Sequence, residues 1–273
     1  MTAPRRPRYA HAVLGGTFDR LHAGHAALLA AAMAAGRRVS VGVTTDAFVR
    51  QLGKPRASAI QPYATRRRAL ARWFGRRYPG RWRLVPLADR FGRSVGPGVD
   101  VLVVSAETAG GGERVNAERR RLGRPLVPVI VVPLVLADDL APVSSRRIRA
   151  GEIDRTGRRR APLPMGLAVD DPADARPATL GARRAIPAAR VRIRSVGRMR
   201  DPSPAERARR LAERALGRYE FALGIARRPR GGWFAVVRSR TVALDPVAIP
   251  GRSGRDLARG VALLVRPARP QSL

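Results

Sequence analysis

Short apolar runs alternate with helical segments along the first 155 residues, and this alternation constrains the fold more than any other feature. Strand-like runs lie at 9–16, 38–46, 82–87, 99–107 and 127–136, and helical patterns lie at 23–36, 62–78, 112–123 and 143–154. Such alternation is typical of βαβ units, whose parallel strands are joined by right-handed crossovers. The sequence therefore predicts an α/β fold with a doubly wound, Rossmann-like parallel sheet.

A second region follows in which the strand and helix patterns no longer alternate regularly. Residues 156–164 are basic, contain glycine and proline and show no apolar periodicity, so we interpret them as a linker. Beyond them, strand patterns at 165–171, 190–197 and 219–249 are mixed with helical patterns at 203–217 and 253–264. We therefore expect a first domain over 1–155 and a smaller α+β domain over 165–273.

The chain is strongly basic, with 54 Lys and Arg residues against 20 Asp and Glu residues and a net charge of +34. Such a balance usually indicates a polyanionic partner. However, Lys54 is the single lysine, and alanine, glycine and proline are abundant, which favours GC-rich codon bias as the main cause. No aromatic pattern typical of RNA-binding sheets interleaves with the arginines. A nucleic-acid partner is therefore not expected, although the charge leaves it open.

Other composition features exclude several classes of protein. The chain has no cysteine, so it has neither disulfides nor cysteine metal sites. No apolar run reaches the roughly 20 residues that a membrane span requires, and no secretory signal peptide is evident. We expect no membrane association and a cytoplasmic location, and the sequence leaves open whether copies of the chain form a homo-oligomer.

The stretch GGTFDRLHAGH at 15–25 joins the first strand to the first helix. Gly15 and Gly16 have no Cβ, so backbone N–H groups there can approach a phosphate, and the start of the following helix favours anions. His22 and His25 are three positions apart across that helix start and can face one phosphate together, with the Thr17 hydroxyl as a further donor. The motif thus supplies hydrogen-bond donors but no side chain that would act as a nucleophile. Such a set suits a reaction in which one substrate directly displaces a group at the phosphorus of another.

The motif at 15–25 and several later stretches resemble those of a known protein family. GGTFDRLHAGHAALL resembles the signature of the nucleotidyltransferase superfamily, and VSSRRIRAGEID at 143–154 resembles its second signature. The stretches VGVTTDAF, PYATRRRAL, VVSAETAGGGERVN and VVPLVLADD are similar to the archaeal and eukaryotic type of phosphopantetheine adenylyltransferase. The resemblance covers about residues 9–154. It implies adenylyl transfer from ATP to 4′-phosphopantetheine, giving dephospho-coenzyme A and pyrophosphate, with Mg²⁺ neutralising the triphosphate.

The resemblance also implies roles for the first motif. Thr17, His22 and His25 would hold the phosphates of ATP and the charge of the transition state, with both histidines counted as catalytic. Gly15 and Gly16 would shape the turn that binds ATP. Asp19 matches the motif as well, and we expect it to fix the turn rather than to do chemistry.

The second motif supplies the other implied phosphate contacts. Ser144, Ser145 and Arg147 would bind the β- and γ-phosphates, and Arg147 is counted as catalytic because its planar fork grips phosphate. The family usually has a threonine where this chain has Arg146. The paired serines and Arg147 remain, so we expect activity to be retained.

Four further residues are candidates between the two motifs. Lys54 follows the second strand, and a lone lysine in an arginine-rich chain predicts a catalytic contact with substrate phosphate. Arg66, in PYATRRR, is predicted to bind substrate phosphate, with an exposed helix position as the alternative. Glu107 ends a strand where adenine or ribose would lie, and Asp89 is placed near pantetheine.

The second domain faintly resembles the inosine/xanthosine triphosphatase family through YEFALGIARRPRGGWFAVVRSRT. Positions that are acidic or glycine in that family are Ala226, Arg227 and Arg228 here. Arginine repels the Mg²⁺ that such a triphosphatase needs, so we expect this domain to be non-catalytic.

Two other functions stay open at this stage. One is a different small-molecule nucleotidyltransferase, and the other is a basic nucleic-acid-associated protein built on an inactive nucleotidyltransferase scaffold. Steep salt-dependent RNA binding without adenylyl transfer would distinguish the latter.

Overall fold

The computed structural model describes residues 6–53, 57–75, 77–160, 162–187, 189–195, 203–217, 219, 221–239 and 242–265. The chain divides into two compact units. The first consists mainly of residues 1–135 and 144–149, and the second of residues 136–143 and 150–269. The domain limits proposed from the sequence, 1–155 and 165–273 with a linker between them, stay predictions. The first strand of the second unit begins at Leu163, inside that linker.

The first unit is built on a five-stranded sheet in which every strand pair is parallel. Its strands are β1 (Tyr9–Gly16), β2 (Gly36–Thr44), β3 (Trp82–Leu87), β4 (Val101–Ser105) and β5 (Val129–Val132), in the spatial order β3-β2-β1-β4-β5. The chain therefore starts in the centre and winds outward both ways. This arrangement confirms the predicted doubly wound parallel sheet.

Five α-helices in the described part of this unit follow its strands along the chain. They are α1 (Ala23–Ala35), α2 (Asp46–Gln51), α3 (Tyr63–Gly75), α4 (Ala109–Arg121) and α5 (Ser145–Arg149). Residues of α1 and α3 form one apolar core with β1 and β2, and a residue of α4 joins a second core with β1 and β4. Leu70, Trp73 and Phe74 of α3 are buried, as their spacing predicts.

Gly36 has a different role from the one its sequence position suggests. A glycine after an alanine-rich helix predicts a left-handed C-terminal cap. Instead Gly36 has φ −110° and already begins β2. A Cβ there would lie 2.6 Å from the Cβ of Ala12, so glycine is required for the close approach of β1 and β2.

The crossover from β3 to β4, residues 88–100, contains only a single 3-10 turn at Gly92–Val95. The other crossovers in this unit carry α-helices, so the face of the sheet near β2 and β3 is covered here by a loop alone. That difference leaves room for a cavity on this face.

The second unit has a mixed sheet in the order β10-β9-β8-β6-β7. Its elements are β6 (Leu163–Val169), α6 (Ala175–Ala185), β7 (Ala189–Ser195), α7 (Pro204–Leu216), β8 (Phe221–Arg227), β9 (Trp233–Ser239), β10 (Val247–Ile249) and α8 (Gly254–Leu264). β6 pairs in parallel with β7 and β8, whereas β8–β9 and β9–β10 are antiparallel. A smaller α+β unit is thus confirmed. Within the described part of the chain, no helix combines the length and apolar character needed to cross a bilayer.

Candidate active site

The loop after β1 has an unusual backbone. Phe18 and Arg20 have φ of 52° and 49°, in the left-handed region that residues other than glycine rarely adopt. The Phe18 ring is buried, and a Cβ on Gly16 would lie 3.1 Å from its Cε2 atom, so Gly16 leaves room for the ring. Strained backbone of this kind is concentrated at functional sites. The loop also ends at a helix start, where an anion is favoured.

Asp19 holds this loop in place. Its Oδ1 accepts a 3.0 Å hydrogen bond from the Gln61 N–H, and its Oδ2 forms an ion pair with Arg149. Gln61 in turn accepts a 2.8 Å hydrogen bond from the Arg20 N–H. The carboxylate is 2% exposed and fully engaged, which agrees with a role in fixing the turn.

The two histidines of the motif lie together. His22 occupies the N-cap position of α1 without a side-chain capping hydrogen bond, His25 lies in the first turn, and their rings stack with centroids 3.8 Å apart. His22 is buried, and its Nδ1 has no hydrogen-bond partner among the described residues. Burial lowers the pKa of His22 to about 4, opposed by the charge of Asp19. At neutral pH this imidazole is therefore uncharged and able to donate one N–H.

The second motif contacts the first directly. Ser145 Oγ donates a 2.7 Å hydrogen bond to the Asp19 carbonyl. Ser144 Oγ accepts a hydrogen bond of 3.4 Å from the Arg147 N–H. Arg147 is buried, whereas Arg146, at the position where the resemblance implies a threonine, is exposed. The structure thus brings the two signatures into one site.

Arg66 lies elsewhere than predicted. Its side chain is fully buried in α3 and donates to the carbonyls of Gln61, Thr17 and Thr44 and to Asp46. A side chain with no exposed surface does not face a bound phosphate. The prediction that Arg66 contacts substrate phosphate is therefore corrected, and so is the alternative that it lies exposed on the helix. Arg66 instead supports the loop that carries Thr17.

A cavity of about 190 Å³ opens on the sheet face beneath the β3–β4 loop. Gly15 and Gly42, which pair across β1 and β2, lie side by side in its wall. The lining is mostly apolar: Val13, Leu14, Val85, Leu87, Phe91, Leu102, Val104 and Val115, with the hydroxyls of Ser40, Ser94 and Thr108. Arg90 and Arg93 are exposed residues of the same lining. The cavity suits a ligand that is largely apolar and carries an anionic group.

Three further candidates, Asp89, Glu107 and Lys54, were predicted between the two motifs. Asp89 is exposed, and its Oδ1 accepts the N–H groups of Phe91 and Gly92, so it shapes the loop over the cavity. Glu107 is exposed in a 3-10 turn directly after β4. Lys54 lies outside the described residues. The roles proposed for Asp89, Glu107 and Lys54 therefore stay predictions.

Sequence reasoning missed three residues of this network. Gln61 and Arg149 bind Asp19, and Asp46 pairs with Arg66 at 2.7 Å. Gln61 stands just before a proline at a helix start and Asp46 just after a strand, and those positions are the only local signals. Arg149 has no signal of its own in an arginine-rich stretch.

Asp171 and Asp174 of the second unit lie just after β6, and both carboxylates are paired with Arg227. Arg227 donates bidentately to Asp174 at 2.8 and 2.9 Å and lies 3.1 Å from Asp171. Trp233 Nε1 donates to the same Asp174, which is 2% exposed. Throughout the described ranges, no group of three or more His, Cys, Asp or Glu residues is arranged to hold a metal ion. The donor set therefore does not fit the Mg²⁺ that a triphosphatase resemblance implies.

Comparison with known proteins assigns the first unit to a family. Residues 13–151, about half of the chain, match the cytidylyltransferase-like family. A phosphopantetheine adenylyltransferase of Methanopyrus kandleri is 42% identical over 149 residues, covering 54% of this chain and 92% of that protein. The phosphopantetheine adenylyltransferase of Archaeoglobus fulgidus is 34% identical, covering 53% of this chain and 95% of that protein.

A third relative is longer. The bifunctional phosphopantetheine adenylyltransferase/NTP phosphatase of Thermoplasma acidophilum is 40% identical over 156 residues, covering 57% of this chain. The match spans only 46% of that relative's own length. The strand order, the joined motifs and these similarities agree, and the chain belongs to the cytidylyltransferase-like family.

Proposed function

We propose that the first unit transfers an adenylyl group from ATP to 4′-phosphopantetheine, producing dephospho-coenzyme A and pyrophosphate. The observation that carries this proposal is the hydrogen bond from Ser145 Oγ to the Asp19 carbonyl, because it joins the two phosphate-binding motifs beside the stacked histidines. The names of the relatives from Methanopyrus and Archaeoglobus support the choice of acceptor.

The chemical step is an in-line displacement. A phosphate oxygen of phosphopantetheine forms a bond to the α-phosphorus of ATP, the bond from that phosphorus to the α,β-bridging oxygen breaks, and pyrophosphate leaves with the electron pair. His22 and His25 donate N–H groups to the phosphoryl oxygens, and Thr17 adds its hydroxyl. Ser144, Ser145 and Arg147 hold the departing β- and γ-phosphates. The protein thus contributes positioning and charge stabilisation rather than a covalent intermediate.

The cavity supplies a place for the acceptor. Its apolar lining suits the alkyl and amide chain of pantetheine, and the wall also contains the hydroxyls of Ser40 and Thr108, which are bonded to His11 and Ser105. Arg90 and Arg93 lie where an anionic group entering the cavity would be attracted. Gly15 lies in the cavity wall and is the second-last residue of β1, two positions before Thr17, so an acceptor in the cavity would lie next to the triphosphate.

Magnesium would enter with the nucleotide. The described residues offer no cluster of metal ligands, and the Asp19 carboxylate is taken by Arg149 and Gln61. Mg²⁺ commonly keeps several waters and binds substrate phosphates rather than an all-protein cage. Bound to the triphosphate, it would neutralise charge while Arg147 and the histidines orient the nucleotide.

The testing experiment incubates the purified chain with Mg-ATP and phosphopantetheine, measures pyrophosphate release and identifies the second product by mass spectrometry. Dephospho-coenzyme A in equimolar amount with pyrophosphate is the expected result. Parallel reactions with CTP as donor, and with nicotinamide mononucleotide or flavin mononucleotide as acceptor, should be much slower. Faster turnover with one of these would replace the proposed substrates, and steep salt-dependent RNA binding without any transfer would reject an enzymatic role.

A further inference from the structure

Arg66 is an arginine with no exposed surface, which is rare because charged side chains are seldom fully buried. Its Nε donates to the Gln61 carbonyl at 2.7 Å, and its Nη1 donates to the carbonyls of Thr17 and Thr44 at 2.9 and 2.8 Å. The planar guanidinium can satisfy several acceptors at once because its five N–H donors point in fixed directions. Arg66 therefore joins three backbone segments through one rigid group.

These three carbonyls belong to different parts of the site. Thr17 directly follows β1 in the strained loop, Thr44 is the last residue of β2, and Gln61 precedes α3 and holds Asp19 through its own N–H. The Thr17 carbonyl forms the peptide bond to Phe18, whose φ is 52°. Fixing this carbonyl restricts the rotation of the loop that would bind the triphosphate.

Asp46 balances the buried charge. Its Oδ1 lies 2.7 Å from Arg66 Nη2, and its two oxygens accept the Tyr63 N–H at 2.9 and 3.0 Å. Burial raises the pKa of Asp46, but the hydrogen bonds from Tyr63 and Arg66 outweigh it and hold the pKa below its usual value. Carbonyls alone would leave a cation without a counter-charge in the core, and Asp46 supplies that counter-charge.

We propose that Arg66 is a positioning residue for adenylyl transfer: by fixing the Thr17 carbonyl against β2 and α3, it sets the geometry in which the nucleotide loop binds ATP. This inference rests on the proposed function. Because Arg66 has no exposed surface, it would act through the loop rather than by contact with substrate or the reacting atoms. A displacement of about 1 Å in such a loop can lower a rate about 100-fold.

The test compares Arg66→Met and Arg66→Lys with the wild type. We expect kcat to fall about 100-fold in Arg66→Met and KM for ATP to rise, because loop geometry governs the nucleotide. KM for phosphopantetheine should change less than twofold. Arg66→Lys should be intermediate, since lysine keeps the charge but not the fork that joins three carbonyls.

Arg81→Met is the matched control. Arg81 also donates to three carbonyls, those of Met33, Gly36 and Arg37, where α1 ends and β2 begins. Its loss should lower the unfolding midpoint while kcat per folded molecule stays within about twofold of wild type. If Arg66→Met is too unstable to purify, Asp46→Asn serves instead, because Asp46 is about half exposed and its loss removes the counter-charge that holds the Arg66 guanidinium. We expect several-fold lower kcat in that variant.

The outcomes separate the two proposals. A wild-type chain that makes no dephospho-coenzyme A contradicts the proposed function, and Mg-ATP affinity measured by calorimetry then still tests Arg66. Positioning by Arg66 is supported if its variants weaken Mg-ATP affinity or kcat at full folding. It is overturned if the Arg66 variants, or Asp46→Asn in their place, lose only stability, like Arg81→Met, and keep wild-type kcat and ATP affinity.

Discussion

Ser145 Oγ donates a 2.7 Å hydrogen bond to the backbone carbonyl of Asp19, although 126 positions separate the two residues. The same aspartate forms an ion pair through its side chain with Arg149, one helical turn beyond Ser145. Both signature motifs are thus anchored on one residue. The relative position of the two sets of proposed phosphate donors is therefore held by contacts within the protein.

Breaking this anchor should uncouple the motifs. Asp19→Asn leaves Arg149, which is 12% exposed, without a charge partner, and loss of one partner of a buried pair costs about 3 kcal/mol or more. We expect lower stability and at least about tenfold slower pyrophosphate release. Urea denaturation and steady-state kinetics on folded protein measure the two effects separately.

The double variant Asp19→Asn/Arg149→Met provides the control. Removing both partners should restore part of the stability lost in either single variant, because no isolated charge remains. Strictly additive losses in stability would contradict a direct coupling between Asp19 and Arg149.

His22 should make stability depend on pH. Its folded pKa of about 4 lies below the ordinary 6.5, so the unfolded chain binds a proton more tightly than the folded chain. This contribution to stability is complete above pH 6.5 and is lost as pH falls toward 4. The shift corresponds to at most about 3 kcal/mol. Urea denaturation of wild type and His22→Gln between pH 7.5 and 4 should show a flatter profile for the variant, whereas parallel profiles would show that His22 is not the group responsible.

Filling the cavity should weaken acceptor binding alone. A Cβ on Gly42 would make only ordinary contacts, 3.5 Å from Leu87, so Gly42→Ala should fold normally. The larger side chain of Gly42→Val projects further into the cavity, and we expect KM for phosphopantetheine to rise about tenfold, equivalent to 1.4 kcal/mol. KM for ATP should stay nearly constant. An equal rise in both values would place the acceptor elsewhere.

Arg227 should stabilise the second unit without serving catalysis. Asp174 raises the pKa of Arg227 through a bidentate hydrogen bond, and Arg227→Gln would leave a buried carboxylate with Trp233 as its remaining donor among the described side chains. Because Arg227 is about half exposed, we expect a loss of only about 1 kcal/mol. Pyrophosphate release should be unchanged. Mg²⁺-dependent hydrolysis of inosine triphosphate by the wild type would contradict our reading of this cluster.

Local patterns were sufficient to predict the strand–loop–helix unit around the first motif. The spacing of His22 and His25 placed both rings at a helix start, where the structure has them stacked. The strand at 82–87 has the same limits in the structure. Such features depend on residues close in sequence, and periodicity and glycine positions describe them well.

Features that depend on distant contacts could not be predicted. α6 was missed because Pro177 and Gly181 interrupt its pattern, yet Gly181 is needed there because a Cβ would lie 2.4 Å from the Ala258 carbonyl. Arg66 is one of three consecutive arginines in the sequence, and its burial depends on acceptors distant in sequence, among them the carbonyls of Thr17 and Thr44. A side chain buried by backbone acceptors leaves no periodic signal in the sequence.

The most direct test of the account compares pyrophosphate release by wild type and His25→Ala, with Mg-ATP and phosphopantetheine, after circular dichroism has shown equal folding. If the stacked imidazoles stabilise the transition state, kcat should fall at least about 100-fold in the variant. Turnover by His25→Ala within about twofold of wild type would contradict the assignment of this loop as the site of adenylyl transfer.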